Sequence, residues 1–319
     1  MTGLRRLSWF ALGLAFAQSA FGAIVRISGS GMGCGEHWPD CNGALVPTIT
    51  NYTVAIEITH RILAAMLLVT TGAIVLLAFR RQRLSNVGGP GDVLRAALLA
   101  VSLEIVAALV GMAVVLLALS NRSLIAVHYT IAMAILATLV VTVQRTGGLG
   151  AALVTRGDVS RRTYRGAAAA AGLAFVTVVF GALTANLAGA AQSCLGFPWC
   201  RLGMADAMGT LHVQLTHRVL ALLLFLHLLG LGVGVTRRGE ARAIVRAVWA
   251  AFGIIILQVV IAASLVELGL PPVLQSLHQA TGTLLWVAVF TFAALARRGA
   301  SPAPIAQGVG VPRPAGVVA

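Results

Sequence analysis

The sequence predicts an all-α membrane protein of eight transmembrane helices. We expect two tandem four-helix bundles related by a pseudo-twofold axis along the membrane normal, with both termini cytoplasmic. Composition is the first reason, because the chain is 59% hydrophobic and only 10% charged, whereas a soluble domain is about 25% charged. The others are eight apolar segments of spanning length, roughly 20 residues each, and a second half that repeats the plan of the first.

Apolar segments define the predicted helices, and arginines define their orientation. The segments lie at residues 7–26, 54–79, 93–118, 123–143, 165–187, 210–235, 243–266 and 273–296. Every second connection is rich in arginine, which marks the cytoplasmic side of a membrane protein. The remaining connections, expected outside, are residues 27–53, 119–122, 188–209 and 267–272.

The net charge of +14 is carried by arginine alone, since the sequence contains no lysine. Most of these arginines lie between apolar segments, so they act as topology signals and headgroup anchors. Binding of nucleic acid would need one basic face on a soluble domain. We therefore expect no nucleic-acid partner.

The first apolar segment has two interpretations. Arg5 and Arg6, an apolar run and small residues near Ala20 also fit a cleaved signal peptide. A retained helix is favoured because the fifth segment, deep inside the chain, is its counterpart. The predicted division is an N-terminal half at residues 1–145, a cytoplasmic linker at 146–164, a C-terminal half at 165–298, and a disordered tail rich in Pro, Gly and Ala at 299–319.

The two halves share one plan. Each runs helix, long outer loop with two cysteines, helix opening with Glu/Gln-x-x-His-Arg, helix, short outer loop, and helix with an early histidine. The matching positions are Cys34 and Cys41 with Cys194 and Cys200, His60 with His217, and His128 with His278. Because both halves start inside, the repeat is parallel.

Four histidines, two in each half, lie near the outer ends of even-numbered helices: His60, His128, His217 and His278. Helices 2 and 4 of a half run in the same direction, so their histidines share a depth on helices that can be neighbours. Two imidazoles at one depth suit a bis-histidine heme, whereas zinc prefers three or four ligands. The alternative is four separate interfacial histidines. His227 lies on another side of its helix from His217 and is expected to pack.

Acidic residues distinguish the halves. Glu57 is replaced by Gln214 in the second half, and Glu104 is matched by Gln258. An acid beside a heme can accept or relay protons, and an amide cannot. The first half is therefore suited to chemistry and the second to electron transfer. Glu104 lies mid-span and should face the bundle, where a polar contact between helices is the simpler role.

The cysteines form two loop pairs, Cys34 with Cys41 and Cys194 with Cys200. An even count in outer loops predicts disulfides, and neither spacing is CxxC. Each pair either staples its loop over the pocket or serves as an exchanging dithiol.

Four arginines on the outer side break the positive-inside trend: Arg26, Arg61, Arg122 and Arg218. Because the guanidinium fork suits carboxylates, they are candidate partners for heme propionates. The alternative is that they anchor the chain at the membrane interface.

Three stretches together resemble the heme A synthase family. They are Gly22-x-x-Val25-Arg26-x-Ser28-Gly29-Ser30-Gly31-x-x-Cys34, Trp38-Pro39-x-Cys41-Asn42-Gly43 and Glu57-x-x-His60-Arg61. The duplicated eight-helix plan and the three later histidines fit the same family, over residues 5 to 298.

The resemblance implies an enzyme that oxidises the C8 methyl group of heme O to a formyl group, giving heme A for cytochrome oxidase. It implies that His60 and His128 flank the substrate heme O and that Glu57 is the catalytic acid or base. His217 and His278 would ligate a permanent heme b. Cys34 and Cys41 match the family's first cysteine pair, which is linked to catalysis, and Cys194 and Cys200 match its second. A heme O synthase is the expected neighbour.

Two other functions stay open at this stage. A diheme b protein that only transfers electrons would use the same four histidines. A transporter would suit a duplicated bundle but usually has broken helices, and these spans contain no internal proline. The sequence leaves open the membrane electron acceptor, the source of the added oxygen and whether the chain forms a homo-oligomer.

Overall fold

Eight long helices form the protein, and no strand occurs in the part of the chain that the structure describes. The computed structural model describes residues 2–45, 47–84, 91–117, 121–201 and 209–300. The helices are α1 (Thr2–Ile27), α2 (Tyr52–Leu84), α3 (Gly91–Leu116), α4 (Arg122–Arg145), α5 (Arg161–Asn186), α6 (Leu211–Arg237), α7 (Arg242–Glu267) and α8 (Pro272–Ala300). All eight are long and apolar enough to cross a membrane, which makes this a multi-pass membrane protein.

Local sequence explains the helix starts that matter for the site. Ser160 caps α5, because its hydroxyl accepts a hydrogen bond from the Thr163 backbone N–H at 3.1 Å. Pro272 is the first residue of α8. A backbone N–H at that position has no partner within the helix, so proline costs no helical hydrogen bond there. Within the spans, unbroken helix satisfies every backbone group that lipid cannot.

Several helices are longer than the apolar segments that predicted them. The helices continue past their apolar centres, so α1 begins at Thr2 and α5 begins at Arg161, inside the predicted linker. Arg122 is the first residue of α4 rather than a residue before it, and α8 runs through Gly299 and Ala300. The rest of the predicted tail, 301–319, lies outside the described residues.

Each half packs as a ring of four helices. In the first half, α1 contacts α2 and α4, while α3 lies between α2 and α4; in the second, α5 contacts α6 and α8, while α7 lies between α6 and α8. The predicted sites place histidines on α2 with α4 and on α6 with α8. These helices are diagonal rather than neighbouring, since neither pair packs extensively. The two histidines of a half must therefore meet across the interior of its ring.

The halves join along α1, α4, α5 and α8, with α4 packed against α8. The Trp286 indole N–H donates to the Met133 carbonyl at 2.8 Å, and the hydroxyls of Tyr129 and Thr283 lie 3.0 Å apart. In the repeat, α1 corresponds to α5 and α8 corresponds to α4, so the α1–α8 contact has its counterpart in the α5–α4 contact. This pattern is what the predicted pseudo-twofold axis would produce. The axis, the cytoplasmic termini and the domain division stay predictions.

Candidate histidine sites in the two halves

His60 of α2 lies against α1. A Cβ atom added to Gly22 would lie 3.4 Å from the His60 ring, and Phe21 stacks on that ring with an interplanar angle of 14°. Gln18 Nε2 lies 3.4 Å from His60 Nε2, while His60 Nδ1 is buried without a hydrogen-bond partner. A buried imidazole nitrogen that lacks a partner is available to a ligand.

His128 of α4 lies against α3. Its Nδ1 is 2.9 Å from the Ala107 carbonyl oxygen, and a Cβ atom at Gly111 would lie 3.3 Å from its ring. A carbonyl oxygen only accepts, so Nδ1 carries the hydrogen and Nε2 keeps its lone pair. Metal-binding histidines are commonly oriented in this way.

The second half repeats this arrangement for His217 of α6. Its Nδ1 lies 3.0 Å from the Thr177 carbonyl oxygen, so Nε2 is again the free nitrogen. A Cβ atom at Gly181 would lie 3.0 Å from the ring. Gly22 and Gly181 correspond in the repeat, and each makes room for the histidine of the neighbouring helix.

His278 of α8 is held by an amide. Gln258 Nε2 of α7 lies 3.0 Å from His278 Nδ1, 3.4 Å from its Nε2 and 3.0 Å from its carbonyl oxygen. The Oε1 atom of Gln258 is buried without a partner. The repeat pairs Gln258 with Glu104, but the sequence does not reveal that Gln258 contacts His278. Gln258 reaches His278 because α7 packs beside α8, and only the packing of these helices reveals that contact.

The rings of His217 and His278 meet edge-on in the second half. Their centres are 6.4 Å apart, with an interplanar angle of 81°. Two imidazoles that bind one metal from opposite sides at about 2 Å place their ring centres roughly 6 Å apart. The residues present therefore fit a bis-histidine heme. In the first half, His60 and His128 lie within electrostatic range of each other.

Glu57 anchors the first outer loop. Glu57 is 4% exposed, and its Oε2 accepts from the Cys34 N–H at 2.8 Å while its Oε1 accepts from Arg61 at 2.5 Å. Gly33 approaches α2 so closely that a Cβ atom there would lie 2.3 Å from the Thr53 carbonyl oxygen. The carboxylate thus holds the disulfide loop on α2, and Glu57 precedes His60 by about one helical turn.

Gln214 has the same position in the second half. Its Oε1 accepts from the Ser193 hydroxyl at 3.0 Å, and its Nε2 donates to the Cys194 carbonyl at 3.0 Å. The acid and the amide therefore both hold an outer loop on the end of an even-numbered helix. They differ in charge, because only Glu57 is paired with an arginine.

Both predicted disulfides form, Cys34 with Cys41 and Cys194 with Cys200. Cys34, Cys41 and Cys194 are fully buried. The disulfides that the cysteine count predicted are therefore present, and the choice between a loop staple and an exchanging dithiol stays open.

The four outer arginines have different surroundings. Arg61 donates to the Asp40 carbonyl at 2.7 Å as well as to Glu57, and Arg218 donates to the Cys194 and Gly196 carbonyls at 2.6 and 2.9 Å. Arg26 reaches the Ala185 carbonyl of the other half at 3.3 Å. The structure gives Arg122 an exposed position at the start of α4. Arg61 and Arg218 thus hold their own loops, which the sequence did not predict.

Two further ionisable residues contact neighbouring helices. His227 Nε2 lies 2.9 Å from the Gly166 carbonyl oxygen, so the predicted packing role is confirmed. Glu104 accepts a hydrogen bond from Thr71 of α2 at 2.7 Å, as expected of a polar contact between helices.

Comparisons with known proteins agree over most of the chain. A family model described as cytochrome oxidase assembly protein, COX15-CtaA, matches residues 5–290. A heme A synthase from Bacillus licheniformis is 29% identical over 228 residues, which is 68% of this chain and 70% of the relative. A heme A synthase from Exiguobacterium is 29% identical over 245 residues, covering 75% of each chain. A protoheme IX farnesyltransferase from Thermus thermophilus is 40% identical over 78 residues, 24% of this chain and 13% of the relative.

Proposed function

The chain belongs to the cytochrome oxidase assembly protein family COX15-CtaA, and we propose that it is a heme A synthase. It would oxidise the C8 methyl group of heme O to the formyl group of heme A. The carrying observation is the pair His217 and His278, whose ring centres lie 6.4 Å apart. The sequence repeats the two histidines in the first half, which carries an acid where the second carries an amide. The relatives named heme A synthase support the same activity.

In this proposal the first half binds the substrate. His60 and His128 would flank heme O across the interior of the ring of helices. The hydrogen bond from His128 Nδ1 to the Ala107 carbonyl supports this assignment, because it leaves Nε2 to face the substrate.

Glu57 would act on the substrate methyl group. Arg61 and the Cys34 N–H hold it as a carboxylate in a buried position. Removing two electrons and one proton from the methyl group would leave positive charge on its carbon, and a fixed carboxylate would stabilise that charge. The carboxylate would also accept a proton as water adds to the carbon, which gives a hydroxymethyl group. Loss of two further electrons and two protons would give the formyl group, with the electrons passing to the membrane electron acceptor.

The second half would hold heme b between His217 and His278. Bound heme b supplies a carrier that takes electrons away from the substrate site. This chain's own contribution is orientation, because Thr177 holds one ligand ring and Gln258 the other.

Partners and location follow from the same proposal. Disulfides persist in oxidising compartments, which supports loops on the outer face of the plasma membrane. The relative named protoheme IX farnesyltransferase contains a 78-residue segment similar to this chain, which supports a heme O synthase as the working neighbour.

One observation favours a second candidate, a diheme b electron-transfer protein without catalysis. Both oxygens of Glu57 are used to hold the outer loop, as both polar atoms of Gln214 are. If Glu57 had only that anchoring role, it would take no part in a reaction.

The deciding experiment is to purify the full chain from cells that supply heme O and identify its pigments by mass. We expect heme b and heme A with the natural chain, and heme b without heme A with Glu57→Gln. Heme b alone from the natural chain would support the electron-transfer candidate. Glu240→Gln is the control, because it makes the same exchange of acid for amide between α6 and α7, outside both helices, and should leave heme A formation intact.

A further inference from the structure

One of the four candidate iron ligands, His60, is held differently from the other three. Nδ1 of His128 and Nδ1 of His217 each lie on a backbone carbonyl. Nδ1 of His278 lies 3.0 Å from the Gln258 amide. Nδ1 of His60 is buried with no hydrogen-bond partner among the described residues. A partner at the far nitrogen orients a metal-binding histidine, and its loss typically costs about 10- to 100-fold in metal affinity.

The polar contact of His60 is made at its other nitrogen. Gln18 Nε2 of α1 lies 3.4 Å from His60 Nε2. An amide N–H only donates, so this contact uses the lone pair of His60 Nε2 and places the ring hydrogen on Nδ1. Imidazole also binds a metal through a lone pair. Gln18 and an iron atom therefore compete for the same nitrogen of His60.

The repeat isolates the residue that makes this difference. The face of α1 toward His60 carries an amide, an aromatic ring and a glycine at helical spacing, namely Gln18, Phe21 and Gly22. In α5 the ring and the glycine recur but the amide does not, since the matching residues are Thr177, Phe180 and Gly181. There the Thr177 carbonyl accepts from Nδ1 of His217, which leaves Nε2 of that histidine free.

Packing alone does not explain an amide at position 18. Gln18 Oε1 is buried and has no hydrogen-bond partner in the described part of the chain. A buried polar atom without a partner is destabilising, and a leucine side chain of similar size would have none. The open Oε1 also leaves the amide unfixed at that atom. Gln18 can therefore move away from His60 without breaking a hydrogen bond to Oε1.

We propose that His60 is the detachable ligand of the first site, and that Gln18 is the positioning residue that takes its Nε2 when the bond to iron breaks. One coordinate bond breaks as one hydrogen bond forms, and no proton or electron is transferred. The substrate half must bind heme O and release heme A in every cycle, whereas heme b stays in place. Gln18 thereby speeds exchange in the half that needs it. This purpose rests on the proposed function, but the weak hold of His60 does not.

Release of heme O from the purified full chain, loaded with heme b and heme O, tests the proposal. Apomyoglobin captures heme as it leaves, and mass identifies the captured heme. We expect Gln18→Leu and Gln18→Thr to release heme O about tenfold more slowly, because His60 then rebinds iron unopposed; tenfold corresponds to about 1.4 kcal/mol, within the range of one hydrogen bond. Gln144→Leu is the matched control, because that amide donates to the Thr291 carbonyl near the opposite end of α4. Unchanged or faster release from both Gln18 variants overturns the proposal.

The absorbance of the added heme O gives a second readout, which a purely structural role of Gln18 would not change. Iron held by two histidines is low-spin, so we expect a larger low-spin fraction in both Gln18 variants than in the natural chain. A smaller fraction would mean that the amide supports the ligand, and it overturns the proposal. If the natural chain binds heme O but makes no heme A, the heme A synthase assignment fails, and the release rates still decide the role of Gln18. If Gln18→Leu does not fold, Gln18→Thr carries both measurements.

Discussion

Single glycines decide how closely the histidines approach the neighbouring helix. Gly22, Gly111 and Gly181 each face a histidine ring at a distance where a Cβ atom would be in contact, between 3.0 and 3.4 Å. Interiors are packed densely enough that one added side chain must displace its neighbour. Space beside the ring is therefore part of the site, although no glycine binds anything.

Gly181→Leu should displace the His217 ring and abolish heme b binding. Gly172→Leu on the same helix is the matched control, because nothing lies within 4 Å of a Cβ atom there. Absorbance of the purified proteins measures the heme b content. Equal heme content in the two variants would show that the ring position does not depend on Gly181.

Residue identity at these sites could be read from the sequence, but contacts could not. The depth of the four histidines follows from their distance to the outer ends of the apolar segments, so His217 and His278 could be paired before any packing was known. That Glu57 reaches the Cys34 N–H, or that Gln258 reaches His278, depends on how a loop folds back and how α7 turns. Spacing along the chain carries no such information.

At the scale of elements, the eight helices were predictable because lipid requires unbroken helix over a fixed thickness. Their ends were not, since hydropathy detects only the part in lipid and the arginine-rich ends of α1, α5 and α8 continue as helix beyond it. The diagonal relation of α2 and α4 was missed for a similar reason. Matching depth does not specify which helices of a ring are adjacent.

Arg218 links the second outer loop to α6. Its guanidinium donates to the carbonyls of Cys194, Gly196 and Pro198, whereas Arg201 reaches α7 only through an exposed ion pair with Glu267. Exposed pairs contribute about 0–1 kcal/mol, but hydrogen bonds from a partly buried charged group contribute more.

We therefore expect mild reductant to reduce the Cys194–Cys200 disulfide several-fold faster in Arg218→Leu than in Arg201→Leu. The rate of labelling by a thiol reagent after reduction measures this difference. Similar rates in the two variants would mean that Arg218 does not hold the loop.

For the whole molecule, the two candidate sites share one structural centre. The α4 helix carries His128 and the α8 helix carries His278, and these helices pack against each other where the halves meet. Trp286 lies at this contact, 5% exposed, with its ring 5.6 Å from Phe175 and its N–H on the Met133 carbonyl. A change at the contact should therefore reach both halves.

Trp286→Ala should destabilise the protein by about 3–5 kcal/mol, the usual cost of removing a buried aromatic ring, and should reduce heme b content and heme A formation together. Trp286→Phe keeps an aromatic ring but removes the indole hydrogen bond, worth about 0.5–1.5 kcal/mol, and part of the ring volume, so it should cost less than Trp286→Ala. Trp249→Ala, at a residue that is 37% exposed, is the control. Thermal unfolding followed by heme absorbance gives the order of stability. A shared centre should transmit the defect of Trp286→Ala to α4 and α8 alike. If that variant lost heme A formation but kept its heme b, the two halves would respond independently.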